Sequence, residues 1–296
     1  MAINELIDPK LLSSVKGLEL LAREIIDSYL HGSNQSVRIG HGQEFSQYRS
    51  YEAGDDLRML DWKLFARSDR YYVREAEIES NISVRFIIDA SASMAHRDGA
   101  YEKIQFARLI AATLGYLATQ QGDAISLYGI NNQDIYYLSA KQNRQHFYRF
   151  LYELIRIQPH GKWPENKRIG RYLNQSGQKE LIVCISDMYQ EEDEIINILK
   201  LLRSEKNEII LIQLMAQNEL HINFEHITAL QDLESNEIIQ VDPASEQRRY
   251  NRRLDQFFSG LKRKLLDLNI HYQMIEMNES LDQSIRDFLK TRMKLL

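Results

Sequence analysis

The stretch RFIIDASASMAH, residues 85–96, runs from an apolar segment directly into three oxygen-bearing side chains, Asp89, Ser91 and Ser93. A second apolar run, ELIVCISD, ends in the same way at Asp187. Carboxylate and hydroxyl oxygens are hard ligands that suit Mg²⁺ better than zinc, whose sites favour nitrogen and sulfur. If both runs are neighbouring parallel strands, their carboxyl ends share one edge of the sheet, and the four side chains face one crevice there.

Two other interpretations of these residues stay open at this point. Asp89 and Ser91 could cap the turn that follows them, and Asp187 could cap a helix that begins near Glu191. The carboxylates could also serve a Mg²⁺-dependent hydrolase or phosphoryl-transfer enzyme. That enzyme would need a general base and a substrate pocket, and the sequence places neither of them.

The order of the elements predicts how these side chains are positioned. From about residue 81 onward, short apolar runs alternate with helical patterns, which predicts a doubly wound α/β domain with a mostly parallel, six-stranded sheet. Residues 1–80 are predicted to contain an amphipathic helix followed by an irregular or short-stranded segment. We therefore divide the chain into an N-terminal extension, 1–80, and a sheet domain, 81–296.

Composition limits the classes of partner and compartment. The formal net charge is −5, so the overall charge of the chain gives no reason to expect nucleic acid as a partner. The one cysteine, Cys184, lies in an apolar run and cannot form an internal disulfide. No stretch approaches the roughly 20 apolar residues of a membrane span, and the N-terminus lacks the apolar core of a signal peptide. These features predict a cytoplasmic protein.

The motif DASAS, residues 89–93, resembles the Asp-x-Ser-x-Ser signature of von Willebrand factor type A domains, and Asp187 resembles their later aspartate. In that family these residues form a metal-ion-dependent adhesion site. The resemblance implies that Asp89, Ser91, Ser93 and Asp187 are metal ligands for Mg²⁺, held directly or through water. An acidic group on a protein partner would complete the metal's coordination.

The upstream segment GQEFSQYRSYEAGDDLRMLDWKLFAR, residues 42–67, resembles the hallmark of a bacterial family called domain of unknown function fifty-eight. In that family a Gly-Asp-Asp, an Asp-Trp and an Ala-Arg precede a von Willebrand type A domain, and the likeness covers nearly the whole chain. The resemblance implies an adaptor that works with a MoxR-type AAA+ ATPase in maturing or remodelling protein complexes.

One departure from the type A pattern concerns the metal. The family usually supplies a threonine from a loop that corresponds here to IQPHGKWPENKRIG, residues 157–170, and this loop contains no threonine. Lys162 or Trp163 stands near the expected place, and an ammonium group there could neutralise the carboxylates without a metal. We therefore expect Mg²⁺ to bind weakly or not at all, and we count Lys162 and Trp163 as candidate partner-binding residues.

Two charged segments are further candidates for contact with a partner. Arginines and acidic residues interleave between residues 49 and 75, which is typical of an internal ion-pair network. The alternative is that part of this network, including Arg58 and Arg67, forms a docking face. The basic helical pattern of residues 246–264 indicates a solvated helix face or, alternatively, a contact with an acidic protein or with phosphates.

The sequence as a whole favours a non-enzymatic interaction module over an enzyme. Its chemistry would be recognition, with the strand-end oxygens presenting a cation or a polar pocket to an acidic group on a partner. The Mg²⁺-dependent hydrolase remains the alternative. A scaffold with a vestigial motif, whose partner binds elsewhere, is a third possibility.

Overall fold

A computed structural model gives the arrangement of most of the chain. It describes residues 8–32, 45–50, 64–65, 67, 71–76, 82–164, 173, 179–190, 193–204, 206–222, 229–231, 238–240, 243–277, 283–285 and 288–289.

The described helices and strands are numbered here in chain order. They are α1 (Pro9–Leu12), α2 (Val15–Gly32), β1 (Phe45–Ser50), β2 (Tyr72–Ala76), β3 (Ser83–Asp89), a short 3-10 helix (Ala92–Ala95), β4 (Arg97–Asp98), β5 (Tyr101–Glu102), α3 (Lys103–Gln120), β6 (Ala124–Ile130), β7 (Ile135–Lys141), α4 (Arg144–Arg156), β8 (Glu180–Ser186), α5 (Glu194–Leu202), β9 (Glu208–Met215), α6 (Gln217–Leu220), β10 (Ala229–Gln231), β11 (Ile238–Gln240), α7 (Pro243–Asp267) and β12 (His271–Glu276).

Six of these strands form the main sheet, in the spatial order β12-β9-β8-β3-β6-β7. All neighbouring strands are parallel except β7, which runs antiparallel to β6. The chain moves from β3 to one side of the sheet and continues from β8 toward the other side. The winding direction therefore reverses between β3 and β8, and in such sheets a crevice opens at the carboxyl ends of those two strands.

The sheet is covered on both faces, because its central strands are apolar on both sides. In β3, Phe86 and Ile88 belong to one core and Ile87 belongs to the other. Helices α2, α3 and α4 contribute to the first core, whereas α5 and α7 contribute to the second. The predicted doubly wound, mostly parallel, six-stranded α/β fold is confirmed.

The N-terminal helices belong to the sheet domain. Leu18, Leu21 and Ile25 of α2 are at most 1% exposed and lie in the same core as the apolar residues of α3 and α4. Residues 1–35 and 82–296 form one compact unit, and residues 36–81 form a second. The structure thus keeps a division close to the predicted boundary at residue 80 but places residues 1–35 with the sheet domain, because the apolar stripe of α2 is buried against that domain's helices.

The second unit is described only in part. Strands β1 and β2 form an antiparallel pair with a register shift between Phe45 and Gln47, which agrees with short strands in this segment. The rings of Phe65 and Tyr71 stack with centroids 4.5 Å apart. Arg67 is exposed, and Arg58, the other predicted docking residue of this segment, lies outside the described residues.

Two adjacent leucines of α2 test whether this helix is part of the core. Leu21 is 1% exposed and Leu20 is 49% exposed. Leu21→Ala should lower the free energy of unfolding by about 2–5 kcal/mol, because it leaves a cavity in the core. Leu20→Ala should cost less than about 1 kcal/mol. Urea unfolding of both variants measures the difference; equal effects would show that α2 is not packed as described.

Candidate functional site

Asp89 is the last residue of β3 and lies at the carboxyl edge of the sheet. Its carboxylate is fully buried and accepts hydrogen bonds from neighbouring groups. Its Oδ1 accepts the backbone N–H of Ser91 at 2.9 Å, which closes a tight turn. Its Oδ2 accepts the Ser186 hydroxyl at 2.7 Å and a hydrogen bond from the Gln190 side-chain amide. Ser186 ends the neighbouring strand β8, so this carboxylate joins the ends of the two central strands.

A second series of hydrogen bonds connects the serine pair to Asp187. The Ser91 and Ser93 hydroxyl oxygens are 3.1 Å apart, and the Ser93 hydroxyl donates to Asp187 Oδ1 over 3.1 Å. Asp187 follows β8 directly, and its backbone carbonyl accepts the Gln213 amide at 3.0 Å. The four predicted ligands therefore do meet at one place, where the winding of the sheet reverses.

Lys103 completes this cluster with a positive charge. Its Nζ lies 2.8 Å from Asp187 Oδ2 and 2.7 Å from Glu219 Oε1, and the lysine side chain is 0% exposed. The ammonium also lies 4.7 Å from the ring centroid of Tyr189, a cation–π contact. Lys103 thus ties the segment after β8 to α6, which follows β9.

Burial is the main electrostatic feature of this cluster. Asp89, Ser91 and Asp187 are 0% exposed and Ser93 is 8% exposed. Desolvation, followed by repulsion from Asp187, raises the pKa of Asp89 to about 6, although hydrogen bonds from Ser186 and Ser91 oppose the rise. Burial likewise raises the pKa of the nearby Cys184 thiol. The predicted crevice, in which these oxygens would face a partner, is closed in this conformation, because internal donors already cover them.

The loop that was expected to supply a threonine lies over the DASAS turn. His160 N–H donates to the Ala90 carbonyl and Ala92 N–H donates to the Gly161 carbonyl, both over 2.9 Å. Gly161 has a φ of +65°, and a Cβ at this position would lie 2.1 Å from Asn132 Oδ1. Only glycine therefore fits at this crossing of the two loops.

The two candidates from this loop have different environments. Lys162 is exposed, and the carboxylate cluster receives its ammonium group from Lys103 instead. Trp163 is 4% exposed and packs in the second core, where its indole N–H has no partner among the described residues. Trp163 therefore does not present its ring to a partner in this conformation, because the ring fills the core.

The fit of a divalent cation can be judged from the donors themselves. The oxygen-only set of two carboxylates and two hydroxyls has the right chemistry for Mg²⁺. However, each side chain is already hydrogen-bonded within the cluster, and the Lys103 ammonium holds one oxygen of Asp187. In this arrangement the residues do not fit Mg²⁺.

Several residues of the cluster escaped the sequence analysis. Ser186 precedes Asp187 and Gln190 lies three residues after it, but only the pairing of β3 with β8 brings them to Asp89. Lys103 could have been noticed in the sequence, because it begins α3, where the helix dipole disfavours a cation. A lysine at that position is stabilised by nearby acidic groups, and Asp187 and Glu219 supply them here. Glu219 carried no such signal, since it lies 116 residues from Lys103.

Residues 47–256 match the family described as protein of unknown function DUF58, which is well over half of the chain. The chain belongs to the DUF58 family. This confirms the family that the motifs of residues 42–67 and 89–93 predicted. The partnership with a MoxR-type ATPase is a separate matter and stays a prediction.

One curated relative and two solved structures are similar to this chain. An uncharacterized protein from Mycobacterium tuberculosis is 27% identical over 247 residues, which cover 80% of this chain and 76% of the relative. A von Willebrand factor type A structure from Catenulispora acidiphila has a TM-score of 0.39 and 11% identity, over 73% of this chain and 42% of that one. An aerotolerance-related membrane protein from Bacteroides fragilis has a TM-score of 0.45 and 15% identity, over 73% and 100%.

These comparisons contradict the predicted cytoplasmic location. The structure from Bacteroides fragilis is that of a protein named as a membrane protein. Within the described part of the chain, no helix combines the length and the hydropathy that crossing a membrane requires. The cytoplasmic prediction rested on the cysteine and on the absence of long apolar runs, and neither feature determines a compartment.

The raised pKa of Asp89 predicts a pH-dependent stability. Between about pH 4, where an unfolded aspartate ionises, and about pH 6, the folded protein binds more protons than the unfolded chain. The free energy of unfolding should therefore fall as the pH rises through this interval, by about 3 kcal/mol for this group. Asp89→Asn removes the titration and should flatten the slope, as measured by urea unfolding at a series of pH values.

The control for this measurement is Asp255→Asn on the exposed side of α7. It should keep the slope of the unsubstituted protein. If Asp89→Asn keeps that slope as well, the carboxyl group of Asp89 does not titrate in this interval.

Proposed function

We propose that the protein is a non-enzymatic interaction module, an adaptor that works with a MoxR-type AAA+ ATPase in the maturation or remodelling of protein complexes. Membership of the DUF58 family supports the choice of partner, because the family resemblance implies it. One observation carries the interaction role: the completely buried Lys103–Asp187 ion pair, with both side chains 0% exposed. Because of this ion pair, the loops at the carboxyl edge of the sheet are fixed in place and do not form a reactive centre.

In this proposal the buried DASAS motif holds in place the loops that form the recognition surface. The hydrogen bonds of Asp89 and Asp187 hold the segments after β3, β8 and β9 in one arrangement, and the loop of residues 158–164 is bonded onto the same turn. Loops that are ordered before binding lose less conformational entropy on association. Lys162 and Tyr189 are exposed on these segments and are available for contact with a partner.

The same geometry does not favour the hydrolase alternative. A hydrolytic site needs a base and a reactant within hydrogen-bonding distance of each other. Asp89 and Asp187 are fully buried, and Lys103 and Ser93 already occupy the oxygens of Asp187. A substrate would have to displace these partners before it reached either carboxylate.

We propose also that the Lys103 ammonium takes the place that a divalent cation has in adhesion sites of this kind. Two buried carboxylates repel each other, and a positive charge beside them relieves that repulsion. Lys103 supplies the charge from within the chain, at 2.8 Å from Asp187. The protein would then need no Mg²⁺ to fold or to present its loops.

This proposal predicts that the protein is indifferent to magnesium. Calorimetric titration with Mg²⁺ or Mn²⁺ should give no saturable binding in the micromolar range. The melting temperature should be the same in a chelator as in millimolar Mg²⁺. Saturable micromolar binding to the unsubstituted protein would show that the ammonium does not replace the metal.

Substitution of the lysine provides the matching measurement. Lys103→Met keeps the length of the side chain but leaves a buried carboxylate without its partner, which should cost about 3–5 kcal/mol of unfolding free energy. Lys162→Met is the control at an exposed lysine and should be nearly neutral. If Lys103→Met fails to fold, the calorimetry of the unsubstituted protein still decides the proposal.

The adaptor role predicts a specific complex. Affinity purification of the tagged protein from its native cell should recover a MoxR-type AAA+ ATPase as a stoichiometric component. Lys162→Glu, on the loop over the DASAS turn, should weaken that recovery. Lys16→Glu, an exposed control on α2, should not. Purification without any such ATPase would contradict the role, and equal recovery with both variants would exclude Lys162 from the contact.

A further inference from the structure

Helix α7 concentrates positive charge in a chain that is otherwise acidic. Its 25 residues, Pro243–Asp267, include seven Lys and Arg against three Asp and Glu, which gives the helix a net charge of +4. The whole chain has a formal net charge of −5, so the residues outside α7 together carry −9. A positive region on an acidic protein attracts anionic partners to that region alone.

Several of these cations lie on the side of α7 that points away from the core. Leu261 and Leu265 are at most 4% exposed and pack in the second core. Arg252 lies nine residues before Leu261, about two and a half helical turns, which places it on the opposite side of the helix. By the same spacing, four exposed cations share this outward side, and we call them the basic ridge: Arg248, Arg252, Lys262 and Arg263.

The charge of the basic ridge is not neutralised from within the protein. Among the residues that the structure describes, no acidic side chain forms an ion pair with any of its four cations. Lys264, on the flank of the helix, differs because it pairs with Asp193. Asp255 is exposed on the same side as the ridge and reduces its net charge to +3. The ridge therefore remains available to an anionic partner.

The basic ridge is long and ends in an apolar side chain. Arg248 and Leu266 are 18 residues apart, which is five turns, so they lie on one line of about 27 Å along the helix. Leu266 is 78% exposed, more than any other large apolar side chain that the structure describes. Long basic side chains with an apolar residue beside them match the boundary between phospholipid headgroups and acyl chains.

The shape and composition of the basic ridge favour a phospholipid surface over other polyanions. Three of its four cations are arginines, whose guanidinium groups form paired hydrogen bonds with phosphate. The outward side of a surface helix is convex, which suits contact with a flat surface and offers no groove to an acidic polypeptide. The ridge contains no aromatic residue on which a nucleic acid base could stack. Leu266 gains free energy beneath lipid headgroups but not against a sugar-phosphate backbone.

We propose that the basic ridge of α7, together with Leu266, docks the protein on an anionic phospholipid surface. The cations contact the headgroup phosphates, and Leu266 enters the layer beneath them. The apolar side of α7 stays in the protein core, so this contact is peripheral and reversible. The proposal concerns a surface other than the loops at the carboxyl edge of the sheet, and it does not depend on the adaptor role.

Cosedimentation of the full chain with lipid vesicles tests this proposal. Vesicles of phosphatidylcholine with about 30% phosphatidylglycerol should bind the unsubstituted protein at about 50 mM NaCl. They should release it at about 500 mM NaCl, because salt screens the attraction. Vesicles of phosphatidylcholine alone should leave the protein in the supernatant.

A pair of charge reversals assigns the contact to the basic ridge. Arg252→Glu combined with Arg263→Glu should lower the partition coefficient at least tenfold, because each basic residue near an anionic membrane contributes roughly a factor of five. Arg144→Glu combined with Arg149→Glu is the matched control, since it changes the net charge equally at exposed positions of α4, which packs in the other core. This control should bind within about threefold of the unsubstituted protein.

Two leucine variants test the apolar part of the contact. Leu266→Ala should lower the partition coefficient at least threefold, because it removes apolar surface that the membrane buries. Leu20→Ala is the control at a leucine of α2 that is 49% exposed, and it should not change binding. Circular dichroism and the melting temperature check that each variant is folded, as expected for exposed positions.

Several outcomes would overturn the proposal. They are no binding to anionic vesicles at low salt, equal binding to vesicles with and without phosphatidylglycerol, and unchanged binding by the Arg252→Glu, Arg263→Glu variant. A fluorescein-labelled DNA duplex and a labelled poly-glutamate peptide provide the comparison by fluorescence anisotropy at the same salt. Binding of either one without binding of vesicles would assign the basic ridge to that polyanion and exclude the lipid surface.

Discussion

The carboxyl edge of the sheet depends on one buried ammonium group. Moving an ammonium or a carboxylate out of water costs several kcal/mol per ion, which only close and well-oriented partners offset. Lys103 meets this condition with two carboxylates and the face of Tyr189. The Lys103–Asp187 ion pair contributes little net stability, but it fixes which segments of the chain lie together. Both acidic partners belong to segments that follow neighbouring strands of the sheet.

A second buried ion pair lies at the opposite end of β8, where this strand pairs with β3. Arg85 of β3 pairs with Glu180 at the start of β8, with an N–O distance of 2.7 Å, and both side chains are at most 6% exposed. The guanidinium also lies 5.5 Å from the ring centroid of Tyr128 in β6. Charged contacts therefore hold the central strands at both ends, while apolar side chains fill the length between them. A shift in the register of β8 would separate both ion pairs, Arg85–Glu180 and Lys103–Asp187, at once.

The sequence predicted the parts of this arrangement that follow from local pattern. Apolar runs with turn residues between them identified the six strands, and two strand-end aspartates identified the edge at which the site lies. The sequence could not give the side-chain contacts that close the site, because these join residues far apart in the chain. Lys103 and Glu219 are the main example, and Gln190 with Asp89 is another. The sequence therefore predicted a crevice accessible to a partner, whereas the structure closes it: the exposure of the oxygens depends on which groups cover them, and the spacing of residues along the chain does not reveal those groups.

Cys184 offers a practical consequence of the buried sheet. It is the only cysteine in the chain, it is 1% exposed, and burial raises the pKa of its thiol. A buried, protonated thiol reacts slowly with electrophiles and oxidants. A cysteine introduced at a chosen surface position would therefore be the sole reactive thiol, and a fluorophore or spin label could be attached there without first replacing a native residue.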